Sequence, residues 1–164
     1  MEKELRKRQN RLIDAGTGVI LFAVWNVVKV NLYLGLSTFL TDEFHKAAAE
    51  YGISEKYLVI ITISVIAGVL LCQLSIRLYV GLSAIAEGKG RPKNDRYLVL
   101  AVVLLIMEIQ MVYQSFDLEH VLTGKGMSEI MITGLCLEAA SMYVLLELLI
   151  SGIYVKKLRK KMKA

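Results

Sequence analysis

The sequence predicts an all-α integral membrane protein, and three observations support that fold class. No charged residue and no proline occurs between Leu58 and Ile76, where most residues are Val, Ile or Leu. Hydrophobic residues make up 55% of the chain and fall in four long blocks, with the basic residues concentrated around them. At a rise of ~1.5 Å per residue, ~20 apolar residues cross the ~30 Å hydrocarbon layer. Because a chain in lipid must satisfy its own backbone hydrogen bonds, these blocks are expected to be helices.

Four membrane helices are predicted within a single domain that covers residues 1–164. Their expected limits are about 13–40, 57–85, 97–116 and 128–155, with a short amphipathic helix at about 42–51. Ser54 is the expected N-cap of the second helix, and Asn94 or Asp95 that of the third. The segment 86–96 holds two glycines and the only proline, so it is the clearest break in the chain. Short connections predict a four-helix bundle with antiparallel sequential neighbours.

The distribution of basic residues predicts the orientation. The N-terminal segment, the middle connection and the C-terminal segment carry 15 Lys and Arg residues, whereas the other two connections carry 3. By the positive-inside rule, both termini are expected in the cytoplasm, with the protein in the plasma membrane. Flanking charge of this kind favours anionic lipid headgroups as partners and argues against nucleic acid.

Ionisable residues inside the apolar blocks form the candidate polar site, because each costs roughly 2.5–3.5 kcal/mol to insert and normally needs a partner. The candidate intramembrane site consists of Asn26, Lys29, Gln73, Arg77, Glu108, Gln110, Glu138 and Glu147. Matching depths predict two ion pairs, Lys29–Glu138 and Arg77–Glu147. Glu108 is then left without a cation. Two interpretations stay open for it: proton or cation binding during transport, or a hydrogen bond to Asn26 or Gln73.

The helical phase adds two expectations. Glu138 and Glu147 are nine residues apart, about 180° around a helix, so they are expected to face different neighbours. Ser64, Gly68 and Cys72 form a ladder of small residues that would allow close helix packing. That ladder is interpreted either as an intramolecular contact, which is favoured, or as a dimer seam.

No converging nucleophile, base or metal-ligand set is found in the sequence, so no enzyme activity, cofactor or metal is expected. The leading functional hypothesis is a small multi-pass membrane protein that acts as an accessory or structural subunit. It would work through helix contacts with the lipid bilayer, a second copy or a larger membrane partner. The alternative is a small oligomeric transporter or channel that uses Glu108 and the two buried ion pairs.

Overall fold

The computed structural model describes residues 2–36, 52, 54–115 and 129–163, and four α-helices account for nearly all of them. The helices are α1 (Glu2–Leu36), α2 (Glu55–Gly88), α3 (Arg96–Ser115) and α4 (Glu129–Lys163). The all-α prediction is therefore confirmed for the described part of the chain. The short helix expected at about 42–51 lies outside it.

Three of these helices are long and apolar enough to cross a membrane. The stretches that meet both conditions are Glu2–Leu32, Lys56–Gly88 and Gly134–Met162. They belong to α1, α2 and α4. A membrane crossing by α3, which would be the fourth pass, stays a prediction.

Two helices extend well beyond the limits expected from the apolar blocks. The first helix begins at Glu2 rather than near residue 13, and the last ends at Lys163 rather than near residue 155. Hydropathy marks only the apolar part of a helix, whereas Lys, Arg and Glu are themselves good helix formers. Acidic residues in the first turn of α1, Glu2 and Glu4, also favour the helix N-terminus.

The ends of α2 and α3 follow local rules. The carbonyl of Ser54 accepts hydrogen bonds from the amides of Tyr57 (2.9 Å) and Leu58 (3.2 Å), as expected for an N-cap residue. The carbonyl of Asp95 accepts equivalent bonds from residues 98 and 99, so Asp95, and not Asn94, is the N-cap residue of α3. After α2, Gly90 adopts a φ of +92°, which only glycine enters without strain.

The described chain forms two compact units, and the first comprises Met1–Phe22 and Arg77–Ala164. Each of its helices buries residues at spacings of three, four and seven, the pattern of one helix face packed on its neighbours. These buried residues include Leu5, Leu12, Ala15 and Val19 in α1, Val80 and Ala84 in α2, Tyr97, Ala101 and Leu104 in α3, and Leu145, Leu148 and Val155 in α4.

Within the first unit, α1 and α2 approach each other very closely at two glycines. A Cβ atom added to Gly81 would lie 2.8 Å from the backbone oxygen of Gly16, and one added to Gly16 would lie 2.8 Å from the oxygen of Gly81. Two turns further along α2, a Cβ added to Gly88 would lie 2.9 Å from the backbone oxygen of Gln9. The absence of side chains lets the two backbones meet, as in other close helix pairs in membranes.

The second unit, Ala23–Ile76, contains the rest of α1 and most of α2. Ser64 and Cys72 of the predicted ladder are exposed, and a Cβ on Gly68 would meet nothing within 4 Å. Among the described residues, the favoured intramolecular interpretation of this ladder is therefore wrong. Close packing is found instead at Gly16, Gly81 and Gly88 of the first unit.

Candidate functional site

A cluster of three buried polar side chains lies inside the first unit. Arg77 of α2, Glu108 of α3 and Ser141 of α4 are each only 5–6% exposed. The Arg77 guanidinium forms an ion pair with Oε1 of Glu108 through Nη2. The Ser141 hydroxyl donates a hydrogen bond of 2.7 Å to the same carboxylate oxygen and accepts one of 3.3 Å from Nη1 of Arg77. We call these three residues the central cluster.

Glu108 and Ser141 meet because each lies the same number of residues from a second contact between α3 and α4. A Cβ on Gly152 would lie 3.0 Å from the hydroxyl of Tyr97. Glu108 follows Tyr97 by eleven residues, and Ser141 precedes Gly152 by eleven residues. Eleven residues are about three helical turns, so both pairs present the same helix faces to each other.

The central cluster neutralises charge in an apolar interior. Arg77 and Ser141 both engage one oxygen of Glu108, and such charge-assisted contacts are stronger than neutral hydrogen bonds. Two buried atoms, Nε of Arg77 and Oε2 of Glu108, have no hydrogen-bond partner among the described residues. The net charge of the ion pair is zero, which lowers the cost of burying its two charged groups.

The predicted Arg77–Glu147 ion pair is wrong. Arg77 contacts Glu108, whereas Oε1 of Glu147 lies 3.5 Å from Nη1 of Arg11 in α1 and accepts a hydrogen bond of 3.2 Å from Ser151. Depth in the membrane predicts that pairing, but depth does not specify which face of a helix a residue occupies. Arg11 also belongs to a helix and not to a tail, because α1 is helical from Glu2.

Glu108 is therefore not the unpaired carboxylate that the sequence suggested. Its flanking residue Gln110 is exposed and lies on a different face of α3. The expectation that Glu138 and Glu147 face different neighbours stays a prediction, and two contacts of α4 support it. Glu147 contacts α1, whereas Ser141, on the face that includes Glu138, contacts α3.

The remaining members of the candidate site are not brought into the central cluster. Asn26, Lys29 and Gln73 belong to the second unit, where each is partly buried. Glu138 belongs to the first unit and is also partly buried. Both Lys29 and Glu138 take part in polar interactions. The Lys29–Glu138 ion pair stays a prediction.

A second charge cluster, which the sequence did not reveal, is centred on one buried carboxylate and joins the ends of three helices. Glu87 of α2 is only 2% exposed. Its carboxylate lies 3.7 Å from Nζ of Lys156 and 3.6 Å from Nη1 of Arg159, and its backbone oxygen accepts a hydrogen bond of 2.7 Å from Arg159. Lys156 also pairs with Asp95, donates to the carbonyl of Lys93 at 3.0 Å, and lies over the Tyr97 ring. We call Glu87, Asp95, Lys156 and Arg159 the terminal cluster.

The spacing of buried residues is the signal that identifies both clusters. Glu87 continues the buried face of α2 that holds Arg77, Val80 and Ala84, at successive intervals of three, four and three residues. Glu108 likewise continues the face of α3 that begins at Tyr97. Segment 86–96 and the basic C-terminal segment have the composition of solvated connections, which conceals this periodicity.

We expect the terminal cluster to stabilise the fold through the ion pairs and hydrogen bonds between its members, and not through the net charge of the C-terminal segment. Arg159→Gln removes an ion pair and a hydrogen bond to Glu87, and should lower the free energy of unfolding in detergent micelles by about 1–3 kcal/mol. Lys157→Gln is the matched control, because it makes the same charge change at an exposed position of α4. Equal losses in the two variants would show that only the charge of the segment matters.

Comparison with known proteins does not extend these observations. No protein-family model, no curated protein and no solved structure matches this chain.

Proposed function

We propose that this chain is a non-enzymatic multi-pass membrane protein that acts as an accessory or structural subunit through helix–helix contacts. One observation carries the proposal. The buried charges of the first unit neutralise one another within the chain, while the exposed surface of α2 and α3 is strongly apolar. Because the buried charges are paired with one another, they need no partner outside the chain. The exposed apolar faces can then contact lipid and other membrane helices.

The exposed apolar surface is extensive in the second unit. Six large aliphatic side chains in the part of α2 that belongs to this unit are each more than half exposed: Ile60, Ile61, Ile63, Val65, Val69 and Leu71. Lipid tails are as apolar as these side chains, so association on such a face depends on close packing. The small residues Ser64, Gly68 and Cys72 lie among them and allow that approach. A second copy of the chain or a larger membrane partner fits this surface.

The proposed architecture is an antiparallel four-helix bundle that crosses the plasma membrane four times. The two contacts between α3 and α4, Tyr97 with Gly152 and Glu108 with Ser141, support opposite helix directions. The ratio of 15 to 3 flanking basic residues supports cytoplasmic termini. Basic residues at the helix ends would attract anionic headgroups, each by about 1 kcal/mol near the surface.

The transport alternative depended on an unpaired carboxylate in the membrane. Because Glu108 contacts both Arg77 and Ser141, the reason for assigning it a transported proton or cation is removed. No contact among the described residues specifically favours a transport pathway, so the accessory role is preferred.

Co-purification tests the accessory role. The tagged chain, extracted from its native membranes in a mild detergent, is expected to recover a stoichiometric membrane partner or a second copy of itself. The triple variant Ile61→Ala, Val65→Ala, Val69→Ala shortens three side chains that share the exposed face of α2. It should recover much less of that partner at unchanged expression, because close packing drives association in lipid.

A matched variant controls for general effects of smaller side chains. Val99→Ala, Val102→Ala, Ile106→Ala makes the same kind of change on the exposed face of α3. Equal losses in both variants would show that the recovery is non-specific. A monomer that brings no stoichiometric membrane protein with it would contradict the accessory role.

A further inference from the structure

An open cleft lies between α1 and α4 within the first unit, apart from both charge clusters. Its volume is about 420 Å³, within the range of ~300–1,000 Å³ that is usual for ligand pockets. The cleft is lined by Arg11, Asp14 and Ala15 of α1 and by Tyr143, Val144 and Glu147 of α4.

The charges that line this cleft have both signs. Arg11 and Glu147 form an ion pair at 3.5 Å, but the Arg11 side chain is 47% exposed and that of Glu147 is 24% exposed. Such partly exposed pairs contribute little and can exchange partners. Asp14 is exposed, and no hydrogen bond or ion pair links it to another described residue. One guanidinium and two carboxylates therefore face the same space.

The cleft changes from polar to apolar along α1. Three residues after Ala15, Gly18 packs against Val144, where an added Cβ would lie 2.9 Å from a methyl carbon. Leu21, one turn further, is 65% exposed. In the other direction the guanidinium of Arg8 lies 4.6 Å from the centre of the Tyr154 ring. The polar part of the cleft thus lies where the basic segment of α1 meets its apolar block.

We propose that this cleft binds the headgroup of an amine-bearing phospholipid of the phosphatidylethanolamine class. The phosphate would contact Arg11, since guanidinium groups bind phosphate oxygens well, and the ammonium would contact Asp14 and Glu147. The acyl chains would lie along the apolar surface that begins at Ala15 and Val144. This inference rests on the proposed membrane location.

Charge complementarity favours this headgroup over the other common ones. A purely anionic headgroup would bring its charge next to two carboxylates. A choline headgroup carries a quaternary ammonium, which has no N–H to donate to Asp14 or Glu147. Only a headgroup with a phosphate and a primary ammonium satisfies both signs of charge with hydrogen bonds.

Native mass spectrometry of the full-length protein released from nanodiscs tests the proposal. The nanodiscs contain equal amounts of phosphatidylethanolamine, phosphatidylcholine and phosphatidylglycerol. Wild-type protein should retain the ethanolamine lipid about tenfold over the choline lipid, the effect of one charge-assisted hydrogen bond. Asp14→Asn should abolish most of this preference. Glu4→Gln, which neutralises an exposed acid of α1 outside the cleft, should leave it unchanged.

Three results would overturn the inference: equal retention of the two zwitterionic lipids, strongest retention of the anionic lipid, or a preference that survives Asp14→Asn. A soluble competitor, glycerophosphoethanolamine, tests whether the cleft binds an intact lipid or only a free headgroup. Its failure to displace the lipid supports the proposal, whereas full displacement at equal concentration contradicts it. If the protein is embedded in the nanodisc but shows no preference, this inference fails while the proposed membrane role stands.

Discussion

Arg77→Met is expected to lower the free energy of unfolding by about 3–5 kcal/mol, because it leaves the carboxylate of Glu108 buried without its cation. Glu108 is only 6% exposed, so water cannot replace the lost guanidinium. The hydrogen bond from Ser141 remains, but a single hydroxyl does not balance a full charge in an apolar interior. Reversible unfolding of the purified protein in mixed detergent micelles measures the loss.

The double variant Arg77→Met, Glu108→Met should recover most of that stability. Replacing a buried ion pair by apolar side chains of similar volume is often neutral or stabilising, whereas removing one partner is costly. The Ser141 hydroxyl can then donate to a backbone carbonyl of its own helix. Gln110→Met, at an exposed position of α3, is the control and should change stability by less than about 0.5 kcal/mol. Strictly additive losses in the double variant would show that Arg77 and Glu108 are not coupled.

Gly81→Ala is expected to destabilise the first unit by about 1–3 kcal/mol, although alanine is the better helix former. The new Cβ would lie 2.8 Å from the backbone oxygen of Gly16 and 2.6 Å from Cγ1 of Ile20. The isoleucine can change rotamer, but the backbone oxygen can move only if the two helices separate. Because the contacts of Arg77 in the central cluster lie one turn away on α2, that separation also disturbs the buried polar site.

Gly68→Ala is the matched control on the same helix. Nothing in the described part of the chain lies within 4 Å of a Cβ at Gly68, so in the monomeric protein this change should be neutral or stabilise α2 by up to about 1 kcal/mol. The two variants are compared in the same micellar unfolding experiment. Opposite signs are expected, and equal effects would contradict a close contact between α1 and α2 at Gly81.

The sequence alone was sufficient for the class of fold and for several helix ends. Long apolar blocks predict helices because the backbone must satisfy its hydrogen bonds within each segment, and the described residues form four helices. Ser54 is predicted as an N-cap, and Asp95 is one of two candidates for the next, because capping depends on neighbours in sequence. The ends of α1 and α4 were placed too close to the apolar blocks, since composition does not separate a basic helix from a basic connection.

The candidate site could be predicted only in part. Arg77 and Glu108 were singled out because a charge inside an apolar block is costly wherever its partner lies. Their pairing, and the role of Ser141, could not be predicted by counting depth. The pairing depends on how each of the three helices is rotated about its axis and how far it is shifted along that axis. Both are set by packing contacts such as that of Gly152 with Tyr97.

That this chain is helical, apolar and in need of internal charge compensation follows from its amino-acid sequence, because these properties belong to single segments. Which charges meet depends on the folded arrangement of the helices: Arg77 with Glu108, Glu147 with Arg11, and Glu87 with Lys156 and Arg159. A residue's partner depends on the faces that neighbouring helices turn towards it. Those faces are selected by contacts between residues far apart in the chain, such as Gly16 and Gly81.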